Sequence, residues 1–157
     1  MSALDPSSYT ATQEALARCR RYRKEHGLYG VVDSALGRIM LEVGAVGAVT
    51  MPAELGARVR NRLQAQHRCG PVIAHPRSGR WTFLTGPMDD SYLDMALFSD
   101  LFRDCASVAL PGSRIVLPSP SDEHTGYRAW ICPPQGDFRP ELAEVVGATR
   151  ECRPAAG

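Results

Sequence analysis

Arg114-Ile115-Val116-Leu117-Pro118-Ser119-Pro120-Ser121, followed by Asp122-Glu123-His124-Thr125-Gly126-Tyr127-Arg128-Ala129-Trp130, is the stretch on which the reading of this chain turns. Ile115, Val116 and Leu117 have the apolar, β-branched character of a strand. Pro118 and Pro120 cannot donate to a ladder and stiffen the backbone around them, and the run from Ser119 to Gly126 is polar. From Tyr127 to Cys132 the composition returns to that of a strand. The expectation is a strand, a proline-stiffened polar loop and a last strand.

Outward from there, Ser107 to Leu110 predicts a strand, Pro111-Gly112 a turn, and Arg114 to Leu117 the partner of that strand. Thr10 to His26 has helical spacing, with Ala15, Leu16, Cys19 and Tyr22 near one face, Ser8 or Thr10 as its cap and Gly27 as its stop. Leu28 to Val32 and Arg38 to Val43 flank a turn-like segment and predict a hairpin. Ala48 to Met51 is a short strand leading to Pro52, which opens a helix to about His67 with Leu55, Val59 and Leu63 as its stripe. Val72 to Ala74 and Arg80 to Leu84 are strands around the turn Pro76 to Gly79. Gly86 to Asp90 is a loop, Tyr92 to Cys105 a helix, Pro140 to Val146 a short helix, and Arg150 to Gly157 a frayed tail. At 157 residues the chain is expected to form one domain. The element order predicts an α+β fold in which a mixed or antiparallel sheet is covered by helices.

Net charge is only +1, so the chain as a whole has no nucleic-acid footprint. Locally it is uneven. Arg18, Arg20, Arg21, Arg23 and Lys24 crowd one segment, and Arg58, Arg60, Arg62, Arg68, Arg77 and Arg80 another, while Asp89, Asp90, Asp94, Asp100 and Asp104 make the next stretch acidic. Such runs are solvated helix faces of mixed sign, or else a basic face that meets phosphates or an acidic partner. Lys24 is the only lysine. Arginine grips phosphate bidentately, although a GC-rich genome produces the same bias.

The five cysteines have no C-x-x-C or zinc spacing, which predicts reduced thiols. His67, Cys69 and His75 lie close in sequence, but nothing supplies a fourth ligand at a recognisable spacing, so neither a metal site nor a cofactor is expected. The polar N-terminus, Met1 to Thr10, has no apolar h-region, and no apolar run approaches the ~20 residues of a membrane span. The expectation is a cytoplasmic protein without a membrane partner.

Three segments carry a resemblance. They are Gly47 to His75 (strand, helix, then Gly70-Pro71-Val72-Ile73-Ala74-His75), Arg77-Ser78-Gly79-Arg80-Trp81-Thr82-Phe83-Leu84, and Gly112 to Trp130. In this order they are similar to the primase/polymerase (prim-pol) domains of the archaeo-eukaryotic primase superfamily, as in the N-terminal domain of bifunctional DNA primase/polymerases. The second resembles that family's "S-G-G-x-H-x-x-F" hairpin and the third its "P-P-S…G…Y-x-W" pattern. The chain looks most like small actinobacterial proteins with a degenerate form of the pattern. The resemblance spans about residues 45–135 and implies a prim-pol-like core there, with a helix before it at 10–26 and a short one after it at 140–146.

The same resemblance implies carboxylates that hold divalent metal for nucleotidyl transfer. Where it places an Asp-x-Asp, the chain reads Val49-Thr50-Met51-Pro52; where it places a nucleotide-binding His, Trp81 or Thr82 stands; where it places a third Asp, the chain reads Ala106-Ser107-Val108-Ala109. Glu42 and Glu54 lie outside those positions. The expectation is therefore a domain without primase or polymerase catalysis. Its candidate ligand-binding residues are Arg77, Arg80, Trp81, Arg114, Ser119, Ser121, His124 and Arg128, for a nucleotide or nucleic acid held by arginine-rich hairpins. Trp81, Tyr127 and Trp130 are either sheet packing or a stacking platform beside these arginines. Ser119, Ser121, His124 and Asp122 read as a polar turn rather than a nucleophile set. The alternative function is an interaction module for a protein partner, docking through the basic first helix or the acidic Asp89–Asp104 region.

Overall fold

Alternation with a period of two runs through β3 (Gly47–Pro52), β4 (Val72–His75) and β5 (Arg80–Thr85), and it divides the molecule into layers. Val49, Met51, Val72 and Phe83 join one buried cluster, while Ala48, Ile73 and Leu84 join another. The computed structural model describes residues 6–88 and 94–154. In it these strands form an antiparallel sheet with β6 (Ser107–Val108) and β8 (Ala129–Cys132), in the order β6-β3-β5-β4-β8.

On the first face of that sheet lie α2 (Ala53–Ala65), α3 (Met95–Arg103) and α5 (Leu142–Glu151), which contribute Leu55, Val59, Leu63, Leu101, Leu142 and Val145 to the core. Against the second face lies a smaller antiparallel sheet of β1 (Val31–Asp33), β2 (Arg38–Glu42) and β7 (Arg114–Leu117), in that order. Its Ile39, Leu41, Ile115 and Leu117 share one core with Ala15, Cys19 and Tyr22 of α1 (Pro6–His26). Each such fully buried aliphatic or aromatic side chain is worth about 1.5–3 kcal/mol. A short α4 (Pro120–Thr125) packs on α1. The fold is α+β, with two antiparallel sheets rather than one. Among the described residues no helix is long and apolar enough to cross a membrane.

Several boundaries differ from the sequence reading. Arg114–Leu117 does not pair with the strand before it: β6 pairs with β3, and β7 crosses to the other sheet and pairs with β2. The cause is burial, since Ile115 and Leu117 find the apolar face beside Ile39 and Leu41. β2 precedes residue 45, so the sheet containing β7 is completed from outside the segment that carries the resemblance. The polar loop after β7 is a helix. Ser119 caps it by accepting the Asp122 N–H, Pro120 occupies its first turn, and Gly126 ends it at φ 77°. α1 begins at Pro6, so Ser8 and Thr10 sit inside it rather than capping it. Pro52 is the cap of α2 rather than its first helical residue. α3 starts at Met95 with Asp94 as its cap; Asp89, Asp90 and Tyr92 lie outside the described residues. The last strand starts at Ala129 rather than Tyr127. α5 starts at Leu142 rather than Pro140 and extends past Val146 to Glu151, the second residue of the expected tail, and Arg153 beyond it pairs with Asp100 and Asp104.

Candidate anion-binding cleft between the sheets

Where the inner face of the large sheet passes from Ala48, Ile73 and Leu84 to Thr50, His75 and Thr82, its lining turns polar and a cleft of about 270 Å3 opens. Strand parity sets this arrangement. Thr50 and Thr82 are directly opposite in the β3–β5 ladder, and His75 lies across from Arg80 in the β4–β5 ladder. Thr82 Oγ1 is 3.0 Å from Thr50 Oγ1 and 2.8 Å from His75 Nε2, which makes a continuous polar chain across three strands. Burial, then the charges of Arg128 and Arg80, hold the His75 imidazole below its ordinary value near 6.5, with Asp122 opposing them. This environment favours the neutral ring.

Three guanidinium groups surround that chain. Arg80 comes from β5, and its Nη2 donates to the Cys105 carbonyl at 2.7 Å. Arg128 stands just before β8, with Nη1 3.3 Å from Asp122 Oδ1. That contact is single: Arg128 Nε and Asp122 Oδ2 are buried without a hydrogen-bond partner among the described residues. Arg114 is exposed at the start of β7, and among the described residues no ion pair engages it, although Glu42 stands opposite it on β2. β7 is an edge strand of the small sheet and lines the cleft through Arg114, Ile115 and Val116. In an antiparallel pair, alternate residues of an edge strand turn their N–H and C=O away from their partner. The cleft thus combines three cations, hydroxyl and imidazole groups and an open backbone edge. Among the described residues no acidic side chain lines it. Such a set has the chemistry to accept an anion.

The structure separates the candidate residues read from the sequence. Arg80, Arg114 and Arg128 converge on the cleft. Arg77 instead lies 3.8 Å above the ring of Tyr127, which is 42% exposed. Trp81 faces the helices: its ring rests on Gly56 and carries Arg60 at 5.6 Å. Trp130 packs on the opposite side of the sheet and donates from Nε1 to Tyr22 Oη at 3.1 Å. These aromatics therefore form no common platform. Ser119 is buried as a helix cap, and Ser121 and His124 are exposed on α4, none of the three among the residues lining the cleft.

Sequence reading missed Thr50, His75 and Thr82. The available signal was parity: each threonine sits between large apolar residues and shares a face with Ala48 or Leu84. His75 was grouped with its sequence neighbours His67 and Cys69, yet those two line a different pocket. Among the described residues no group of three His, Cys, Asp or Glu side chains is placed to hold a metal ion.

The basic runs resolve partly into ion pairs. Arg18 pairs with Glu123, Arg62 with Glu151 and Arg68 with Glu144, while Arg150 and Arg153 pair with Asp100. No protein family, curated protein or solved structure matches this chain. The primase/polymerase resemblance accordingly rests on the sequence motifs alone.

Proposed function

We propose that the cleft between the sheets binds a phosphate-bearing ligand, a nucleotide or one unit of a nucleic-acid strand, and that the domain holds this ligand without turning it over. The observation that carries this reading is the convergence of Arg80, Arg114 and Arg128 on the Thr50–Thr82–His75 chain. Size narrows it. A volume of about 270 Å3 lies just below the ~300–1,000 Å3 of ordinary small-ligand sites, which favours one nucleotide over a larger ligand. The prim-pol-like motifs support the same ligand class. Thr50 stands within the segment where that family's carboxylate pair would lie, and two-metal phosphoryl chemistry needs such carboxylates.

The test is fluorescence anisotropy with a labelled single-stranded oligonucleotide and a labelled nucleotide, across salt concentrations. Each phosphate neutralised on a single strand contributes about −0.7 to the slope of log affinity against log salt, so one unit in the cleft gives a slope of about −1. Saturable binding with that slope, weakened in Arg114→Ala, is the expected result. Absence of binding at low salt overturns the reading. One observation favours a second reading, the open edge of β7 in the cleft wall, which suits a peptide segment adding as a strand. Binding of that kind depends little on salt.

A further inference from the structure

Away from the anion cleft, a pocket of about 580 Å3 is lined by Gln64, His67, Cys69, Ile131, Cys132 and Phe138. Two cysteines far apart in sequence meet there. Cys69 comes after α2, where His67 turns the chain at φ 57°, and Cys132 is the last residue of β8. Their sulfurs are 3.8 Å apart, with the Cys69 thiol donating to Cys132 Sγ, and Gln64 Nε2 donates to the same sulfur at 3.8 Å. A disulfide brings sulfurs to about 2.05 Å, so closing this contact takes only a small side-chain movement.

We propose that Cys69 and Cys132 form a redox-active dithiol, which a peroxide converts to an intramolecular disulfide. Both side chains are partly exposed to the pocket, so a small oxidant reaches them. The environment divides their roles. The hydrogen bond from Cys69, together with the charge of Arg60, draws Cys132 down to about 7 against the opposing effect of burial. That hydrogen bond, and then burial, push Cys69 up. Cys132 is the nucleophile because the thiolate is the reactive form. Its thiolate attacks one peroxide oxygen, an S–O bond forms as the O–O bond breaks, and the departing hydroxide takes a proton to become water. The Cys69 thiol then gives up its proton and attacks the sulfenic sulfur. The S–S bond forms as the S–O bond breaks, and the second oxygen leaves as water. The two sulfurs together lose two electrons, and the peroxide gains them.

The test is peptide mapping under non-reducing conditions after brief treatment of the whole chain with hydrogen peroxide, repeated in Cys105→Ser because Cys105 is exposed. The expected product is a Cys69–Cys132 linked peptide, with two of the five thiols lost. In Cys69→Ser the reaction stops at a sulfenic acid on Cys132, trapped by dimedone. Iodoacetamide alkylation of Cys132 is expected to show a pH midpoint near 7. A different dominant pairing, or a Cys132 that alkylates with the midpoint of an ordinary thiol, overturns the proposal. The mapping keeps both cysteines in place, so it does not depend on any variant of the pair folding.

Discussion

The Tyr22 hydroxyl joins three elements of the fold. It donates to the buried Pro118 carbonyl at 2.5 Å and accepts from Trp130 Nε1 at 3.1 Å, linking α1 to the end of β7 and to β8. Removing it leaves a buried acceptor and a part-buried donor unpaired, which costs about 1–3 kcal/mol. Tyr22→Phe should lower stability by that amount in urea denaturation, with an unchanged m-value. Gly56 makes the opposite demand, for space. A Cβ there would stand 2.8 Å from Trp81 Cε3, inside the contact between α2 and β5. Overpacking costs about 1–3 kcal/mol, and the better helix propensity of alanine returns about 1 kcal/mol. Gly56→Ala should therefore destabilise by about 1 kcal/mol in the same assay. Tyr22 was legible in the sequence as an apolar-face residue of a helix, but its partners lie about a hundred residues away and no local pattern names them. The facing of Trp81 follows from strand parity with Phe83. Its arginine neighbours in sequence drew the reading towards a binding surface instead.

α4 shows why composition misled at the scale of the element. A helix of six residues has no room for an apolar stripe, so Pro120 and the polar run read as a loop. The end signals were present all the same: a serine cap, a proline in the first turn, acids at 122 and 123, and glycine at the stop. Longer elements were legible because their period had room to repeat, as in α2, β3 and β5. Pairing was not legible for β6 and β7, since adjacency in sequence suggested a hairpin while burial sent the two strands to different sheets. α5 offers a test of the opposite sign to Gly56. Among the described residues nothing lies within 4 Å of a Cβ added at Gly147, which is in the interior of the helix. Gly147→Ala should stabilise the protein by about 0.5–1 kcal/mol, read as a higher urea midpoint.

At the scale of the whole molecule, several charges are paired between elements, and the net of +1 conceals a place where three cations gather. No sequence window contains that place, because Arg80, Arg114 and Arg128 are brought together by the stacking of two sheets. Arg114 is the variant that tests it most cleanly. It is exposed, whereas removing Arg128 would strand Asp122 in a buried setting. Arg114→Ala should weaken phosphate-ligand binding about tenfold at low salt while changing stability by no more than about 0.5 kcal/mol. The pH dependence has a defined sign. The fold favours neutral His75, so this contribution to stability is complete above about 6.5 and is lost as pH falls through the lower folded-state value. His75→Gln should flatten that part of the stability profile.

The same histidine reports on the cleft directly. An anion beside the ring offsets Arg80 and Arg128 and favours the imidazolium form. The measurement is an NMR pH titration of the imidazole signals of the four histidines, with and without a saturating nucleoside triphosphate, using His75→Gln to assign the signal. The account predicts that the His75 midpoint rises when the ligand is present while His124 and His67 stay in place. A bound ligand that leaves His75 unmoved, or that moves His124 or His67 instead, would contradict the assignment of the cleft as the anion site.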